Sequence, residues 1–138
     1  MGTRYYTLAF VVSDAAGNEI PTWGGYMEYI TSGDWYRDEI NSIRARGGDI
    51  IVSFGGEAGI ELAMAHNNVE SLRAAYQSVI DTYNLDWVDF DIEGVAVSDS
   101  PTIDRRNKAI KLLHDDNPDL KVVFCLPVIP SSLFRREG

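Results

Sequence analysis

The sequence predicts an α/β fold built on a parallel β-sheet. Four short runs of residues are rich in apolar, β-branched and aromatic side chains, as buried strands are. They lie at 5–12, 49–56, 86–93 and 120–128. Helix-like segments separate them in the order β-α-β-α-β-α-β, and no low-complexity stretch or linker interrupts this order. Alternating strands and helices imply parallel strands joined by right-handed crossovers, within a single domain over residues 1–138.

The helical segments are marked by their ends and by the spacing of their apolar residues. The first is expected to begin after an N-cap at Asp34 and to end at Gly47. The second follows Asn68, and its apolar residues recur at helical spacing. The third follows the stretch "SDSPT" and stops before Pro118, because proline cannot continue a helix. Each segment therefore forms the crossover between two predicted strands.

The third predicted strand carries a row of acidic residues. In "LDWVDFDIEG", residues 85–94, the carboxylates of Asp89, Asp91 and Glu93 occupy every second position. The residues between them are large and apolar: Val88, Phe90 and Ile92. Successive side chains of a strand point to opposite faces, so the acids share one face at a spacing of about 7 Å. We call these three acids the acid row.

Two architectures fit this order of elements: an open doubly wound sheet and part of a (β/α)₈ barrel of TIM type. Helices cover both faces of a doubly wound sheet, so the acid row would lie under a helix at a high desolvation cost. In a barrel, helices cover one face only, and the other face lines an interior that opens at the carboxyl ends of the strands. The acid row therefore predicts part of a (β/α)₈ barrel, with Glu93 at its mouth.

Composition and charge narrow the class of function. A formal net charge of −9 argues against nucleic acid or an anionic membrane surface as the partner, because both favour an excess of Lys and Arg. The single cysteine, Cys125, excludes an internal disulfide, and its apolar neighbours predict a core residue. No apolar run reaches the roughly 18 residues of a membrane span, and "MGTRYYTLAF" lacks a signal-peptide pattern. A neutral or cationic ligand is expected.

The residue types alone leave more than one role open for the acid row. Clustered Asp and Glu side chains are also oxygen ligands for Mg²⁺ or Ca²⁺, and acids at strand ends often cap the next helix or only meet solvent. One interpretation of Ser53, Gly55 and Gly56 is only a tight exit from the second strand. In the other, Ser53 also forms a hydrogen bond with the acids. His66 and His114 lie far from the row and support neither a nucleophile triad nor a zinc site.

Two stretches of the sequence resemble motifs of a known enzyme family. "DWVDFDIEG" is similar to the D-x-x-D-x-D-x-E signature of the family 18 glycoside hydrolases, the chitinases, at Asp86, Asp89, Asp91 and Glu93. "SFGG", residues 53–56, resembles the S-x-G-G element on the preceding strand of that family. The resemblance implies that the predicted strands are strands two to five of the family's barrel. The chain would then be a central part of a barrel that typically needs about 250 residues.

The resemblance implies substrate-assisted, retaining hydrolysis of β-1,4-linked N-acetylglucosamine polymers, in which the sugar's own N-acetyl oxygen attacks the anomeric carbon. Glu93 would be the general acid that protonates the glycosidic oxygen. Asp91 would hold the acetamido N–H and stabilise the cationic intermediate, and Asp89 would share a proton with Asp91. Asp86 has the opposite parity and would face away from the pocket. No cofactor and no metal are expected.

The same resemblance implies chitin or a chitooligosaccharide as the ligand, with Ser53, Gly55 and Gly56 lining its site. Trp23, in "PTWGGY", is either a stacking platform for a sugar or a packed loop residue. The parent protein, meaning the chain together with the rest of its barrel, is expected to be secreted, although this chain shows no signal peptide.

The chain supports two hypotheses of different class. The first is a chitin-hydrolysing enzyme. The second is a catalytically incomplete half-barrel. In the family, a tyrosine from strand six contacts the acetamido group and a tryptophan from strand eight forms the floor of the sugar subsite, and both strands lie beyond this chain. Exposed edge strands at 5–12 and 120–128 would then favour a homodimer or a larger homo-oligomer.

Overall fold

A five-stranded β-sheet frames the protein in the computed structural model, which describes Gly2 and residues 4–127. The strands are β1 (Tyr5–Ser13), β2 (Pro21–Trp23), β3 (Asp49–Gly56), β4 (Trp87–Ile92) and β5 (Lys121–Cys125). Their order across the sheet is β2-β1-β3-β4-β5. The strands β1, β3, β4 and β5 are parallel neighbours, whereas β2 pairs antiparallel with the end of β1. The parallel sheet that the sequence predicts is thus confirmed.

Helices connect the parallel strands: α1 (Arg37–Ala45), α2 (Leu62–Ala65), α3 (Val69–Tyr83) and α4 (Ser100–Asp116). The elements α1, α3 and α4 match the predicted crossovers. The sequence analysis did not predict β2 and α2, which have three and four residues and are too short for a periodic pattern to show. None of the helices in residues 4–127 is long and apolar enough to cross a membrane.

The start of α3 follows its predicted cap, but the start of α1 does not. The side chain of Asn68 accepts hydrogen bonds from two backbone N–H groups in the first turn of α3, as an N-cap does. Asp34 instead adopts a left-handed conformation, and its carboxylate accepts a 2.9 Å hydrogen bond from Nε of Arg37. Because this carboxylate binds a guanidinium and not the backbone, α1 begins after Tyr36, later than predicted.

The core lies between the sheet and the helices. On β4, Val88, Phe90 and Ile92 are 0, 0 and 1 % exposed. The rings of Phe54 on β3 and Tyr76 on α3 each lie about 5 Å from the ring of Phe90, at 5.2 and 5.1 Å between centroids. This aromatic cluster joins two strands to one helix on the face of the sheet opposite the acid row.

The other face of the sheet carries no helix within the described residues. The register places Ala9, Ser53, Asp89 and Val123 side by side across four strands. Ala9 on this face is exposed, as are Tyr5 and Thr7. A parallel sheet with helices on one face only is the wall of a (β/α) barrel and not a doubly wound sheet. The structure therefore confirms the half-barrel prediction.

The sheet edges differ in part from the prediction. The outer side of β5 is an edge, as expected, although Val128, the last residue of that predicted strand, lies outside the described residues. The strand β1 is not a free edge along its whole length, because β2 pairs with its last three residues. The chain can turn back there because the Asp14 carboxylate accepts 2.8 Å hydrogen bonds from the backbone N–H and the Nδ2 of Asn18, which closes the loop.

Candidate active site

Strand β4 presents the acid row on the open face of the sheet. Asp89 and Asp91 lie within the strand, and Glu93 follows it in an extended conformation with φ −132° and ψ 167°. All three acids are partly exposed, while the residues between them are buried. The alternation of burial along β4 matches the alternation of acidic and apolar residues in the sequence.

Ser53 on β3 holds the first acid of the row. Its hydroxyl donates a 2.7 Å hydrogen bond to Oδ2 of Asp89, its neighbour across the strand pair. Ser53 is only 1 % exposed, so the interaction fixes the orientation of the Asp89 carboxylate. Of the two roles that the sequence left open for Ser53, this geometry favours the hydrogen-bonding partner of the acids.

The glycine pair after Ser53 gives the backbone room beside the acid row. A Cβ at Gly55 would lie 2.0 Å from the carbonyl oxygen of Asp91, and its φ of +108° disfavours other residues. A Cβ at Gly56 would lie 2.8 Å from the ring of Phe10, which belongs to β1. Each position therefore needs glycine, Gly55 for its approach to β4 and Gly56 for its approach to β1.

Asp91 and Glu93 interact directly. A side-chain hydrogen bond with Asp91 raises the pKa of Glu93 above its usual value, and partial desolvation and the negative charges of Asp91 and Glu57 raise it further. Two carboxyl groups can share a hydrogen bond only when one of them carries a proton. Glu93 therefore keeps a proton at pH values where a free glutamate has lost it.

Sharing of a proton between Asp89 and Asp91 remains a prediction. In the structure, Oδ2 of Asp89 accepts the hydrogen bond from Ser53, and Asp91 is the neighbour that raises the pKa of Glu93. Glu93 lies at the end of the row, directly after β4.

Two further residues shape the electrostatics of this site. Glu57, on the connection after β3, is one of the charges that raise the pKa of Glu93.

Cys125 on β5 is the register neighbour of Asp91. The charge of Asp91, partial desolvation and a hydrogen bond to Asp91 raise the pKa of the Cys125 thiol. Cys125 is exposed, so the core position predicted for it is wrong. Its parity along β5, with Val123, could have shown that it shares the face of Asp91.

The structure contradicts the sugar platform considered for Trp23. Its side chain is 5 % exposed and belongs to the core. The indole Nε1–H donates a 3.0 Å hydrogen bond to the hydroxyl of Tyr83 on α3, and the ring meets that of Tyr36 edge-on at 5.4 Å between centroids. No face of the indole is free for a sugar, and the packed alternative describes Trp23 correctly.

The metal hypothesis finds no geometric support in residues 4–127. No group of three His, Cys, Asp or Glu side chains there is arranged to hold a metal ion. His66, directly after α2, is buried, and its ring nitrogens lie 2.9 Å from the hydroxyl of Ser71 on α3 and 3.1 Å from the carbonyl oxygen of Glu19.

The chain is similar in sequence to two proteins named as chitinases. The chain is 37% identical over 140 residues to an Escherichia coli (strain K12) protein named "Probable bifunctional chitinase/lysozyme", and covers 15% of it with 94% of its own length. It is 35% identical to "Endochitinase 11" of Metarhizium anisopliae over 134 residues, or 94% of this chain and 25% of that protein. No family model matches the chain.

A solved structure resembles both the sequence and the fold. Catalytic-site mutants of active domain 2 of a thermostable chitinase from Pyrococcus furiosus, complexed with chito-oligosaccharides, superpose with a TM-score of 0.75 and 33% identity. The match covers 88% of this chain and 37% of that one. The chain thus spans between about a seventh and about two fifths of the proteins it matches. The acid signature, the open half-barrel and these relatives together support a fragment of a family 18 chitinase barrel.

Proposed function

We propose that this chain supplies the proton-donating wall of a chitin-hydrolysing active site. The observation that carries the proposal is the acid row on the open face of the sheet, where Glu93 follows the end of β4 and Asp91 raises its pKa. A general acid must be protonated at working pH, and a carboxyl group does this only when its surroundings raise its pKa. The substrate class is β-1,4-linked N-acetylglucosamine polymers, including chitin and chitooligosaccharides.

Glu93 acts in both halves of the proposed reaction. In the first, the carbonyl oxygen of the substrate's N-acetyl group bonds to the anomeric carbon as the bond from that carbon to the glycosidic oxygen breaks. Glu93 gives its proton to the departing oxygen, and an oxazolinium ion remains. In the second, the Glu93 carboxylate takes a proton from water, which bonds to the anomeric carbon and reopens the ring. Two displacements at one carbon retain its configuration.

Asp91 stabilises the intermediate. Once Glu93 has given up its proton, Asp91 is free to turn its carboxylate towards the acetamido N–H, where a negative charge lowers the energy of the cationic ring. Asp89 stays bound to Ser53 and adds a second negative charge deeper in the row. Gly55 and Gly56 let β3 lie close to β4 and β1, and they are proposed to line the sugar site beside the acid row.

The parent protein allows a direct test of substrate assistance. It is incubated with chitotetraose and with its fully deacetylated counterpart, and the products are followed by NMR. We expect cleavage of the acetylated oligomer only, with the β-anomer as the first product. Equal cleavage of both oligomers, or the α-anomer as first product, would overturn the proposed mechanism.

The chain is proposed to be one domain that corresponds to strands two to five of the barrel. Alone, it is expected to hydrolyse chitooligosaccharides poorly, because the opposite wall of the sugar site is not part of it. Because polymeric chitin cannot enter a cell, we propose that the parent protein is secreted.

We also propose that the isolated chain forms a homodimer or a larger homo-oligomer. Aromatic and apolar side chains at the sheet edges are exposed, among them Tyr5 at 54 %, Phe124 at 48 % and Leu126 at 55 %, and the outer side of β5 offers unpaired backbone groups. Light scattering after size exclusion at micromolar concentration tests this. A mass above that of the monomer is expected, and a stable monomer would contradict it.

A further inference from the structure

A buried ion pair joins the two connections that leave the carboxyl ends of β3 and β4. On α4, Nε and Nη2 of Arg106 donate hydrogen bonds to Oε1 and Oε2 of Glu61, each at 3.2 Å. The side chains are only 4 % and 6 % exposed. Glu61 lies on the connection after β3, immediately before α2. This two-point contact fixes the distance and the angle between α4 and that connection.

The same arginine also holds the connection after β4. Nη2 of Arg106 donates a 3.1 Å hydrogen bond to the carbonyl oxygen of Ala96, which lies in the 3₁₀ turn Gly94–Val97 directly after Glu93. The neighbouring Arg105 donates to the carbonyl oxygen of Ala63 in α2. Two consecutive arginines of α4 thus bind both connections at the mouth of the half-barrel.

The surroundings of the ion pair are largely dry. The hydroxyl of Tyr76 has no hydrogen-bond partner among the described residues, and burial, together with the charge of Glu61, raises its pKa while the charge of Arg106 opposes this. Removing two charges from water is costly, and buried ion pairs often stabilise a protein no more than apolar residues of the same volume would. The pair is therefore explained better by the geometry that it imposes than by a gain in stability.

The two connections carry the acids that act on each other across the mouth. Glu57 lies on the connection after β3, four residues before Glu61, and Glu93 begins the connection after β4, three residues before Ala96. The charge of Glu57 acts on Glu93. Any change in the separation of the connections therefore changes the electrostatic surroundings of the Glu93 carboxyl.

We propose that Arg106 and Glu61 are positioning residues that clasp the connections after β3 and β4, and so hold the Glu93 carboxyl beside Asp91. Neither side chain is placed against substrate, and both act through the backbone that they hold. The inference deepens the proposed function of Glu93 and rests on it. We call the Arg106–Glu61 pair the clasp.

The experiment follows the Glu93 carboxyl itself in the full chain, by ¹³C NMR titration of its side-chain carbon. The double variant Glu61→Met/Arg106→Met replaces both charges by apolar side chains, so that no unpaired charge is buried. Arg106→Lys keeps the charge and loses the two-point contact, and it decides the question if the double variant does not fold.

The matched control is Arg44→Met at the opposite end of the sheet. Like Arg106, Arg44 binds a carboxylate and backbone carbonyls: its Nε donates to Asp49 at 2.9 Å, and its Nη2 donates to the carbonyls of Tyr83 and Asn84 at 2.8 and 3.2 Å. Loss of Arg44 therefore reports what a comparable loss of packing does to Glu93 from a distance.

The clasp predicts that the titration midpoint of Glu93 falls towards that of an ordinary glutamate in the double variant, falls in part in Arg106→Lys, and stays in place in Arg44→Met. A raised midpoint that survives both clasp variants would overturn the clasp alone. An equal fall in Arg44→Met would overturn it too, because the effect would then be a general loosening. A Glu93 midpoint that is ordinary in the native chain would instead contradict the proposed function of Glu93, and the clasp with it.

Discussion

Asp91 and Glu93 lie on the same face of the sheet at the carboxyl end of β4, and Asp91 raises the pKa of Glu93. The strand places both carboxyl groups on one side because they are two residues apart. The apolar residues between and beside them are buried on the other side. A local rule of strand geometry thus places a carboxyl group of raised pKa on the open face of the sheet.

The raised pKa of Glu93 predicts a pH-dependent loss of stability. A carboxyl group whose pKa is higher in the folded state contributes stability that is complete below its unfolded pKa, and that is lost as the pH rises through the folded value. Glu93→Gln removes this dependence. Its stability relative to the native chain should therefore rise with pH across that window, as measured by urea denaturation from about pH 4 to pH 8.

The control for this measurement is Asn107→Ala, which alters an exposed side chain that does not titrate. We expect its stability relative to the native chain to be the same at each pH. A Glu93→Gln variant that shows the same flat difference would contradict the raised pKa.

Gly55→Ala should disrupt the contact between β3 and β4. The added Cβ would meet the carbonyl oxygen of Asp91 at 2.0 Å, whereas a Cβ at Gly47, which also has a positive φ, would meet nothing within 4 Å. Gly47→Ala should cost about 1–2 kcal/mol from its left-handed backbone alone. Gly55→Ala should cost about 1–3 kcal/mol more, from overpacking. Urea denaturation compares the two, and equal losses would show that β3 and β4 separate easily.

Ser53→Ala tests the hydrogen bond that orients Asp89. A hydrogen bond to a charged group contributes about 1.5–3 kcal/mol, so we expect a loss of that size in the free energy of unfolding. Ser78→Ala is the control, because the exposed Ser78 hydroxyl donates a bond of the same 2.7 Å length to a helix carbonyl. That variant should change stability little. If Ser53→Ala were equally mild, Ser53 would serve only as part of the strand exit.

Trp23→Ala should destabilise the fold and spare sugar binding. A buried tryptophan lost from a core costs about 3–5 kcal/mol, and Trp23 also gives up its hydrogen bond to Tyr83. Trp35→Ala is the comparison, since that side chain is 41 % exposed and should cost far less. In the folded fraction of the parent protein, affinity for chitooligosaccharide should be unchanged by Trp23→Ala. A loss of affinity without a loss of stability would restore the sugar platform.

Much of this fold could be predicted from the sequence because its signals are local. The bounds of β3 coincide with the predicted run 49–56, because a pair of glycines lies at each end of the apolar stretch. The cap at Asn68 and the apolar spacing behind it predicted α3. The one-sided acid row favoured a barrel over a doubly wound sheet from the sequence, because parity along a strand is a property of the strand alone.

The rest depends on partners that are distant along the chain. The burial of Trp23 depends on Tyr83, sixty residues away. The start of α1 is a local exception, because Arg37, only three residues further on, binds the Asp34 carboxylate. The role of Ser53 stayed open in the sequence because the acid that it binds lies thirty-six residues away, on another strand. The clasp was beyond reach for the same reason, since Glu61 and Arg106 are forty-five residues apart.

The most direct test of the account is the rate at which the parent protein hydrolyses chitooligosaccharides when Glu93 is replaced by Gln. Glutamine keeps the shape of the side chain and cannot donate the proton to the glycosidic oxygen. We predict that kcat falls by about 10²–10⁴ in Glu93→Gln, while Glu57→Gln, which removes only a neighbouring charge, keeps most of it. Near-native turnover in Glu93→Gln would contradict the central claim that Glu93 is the general acid.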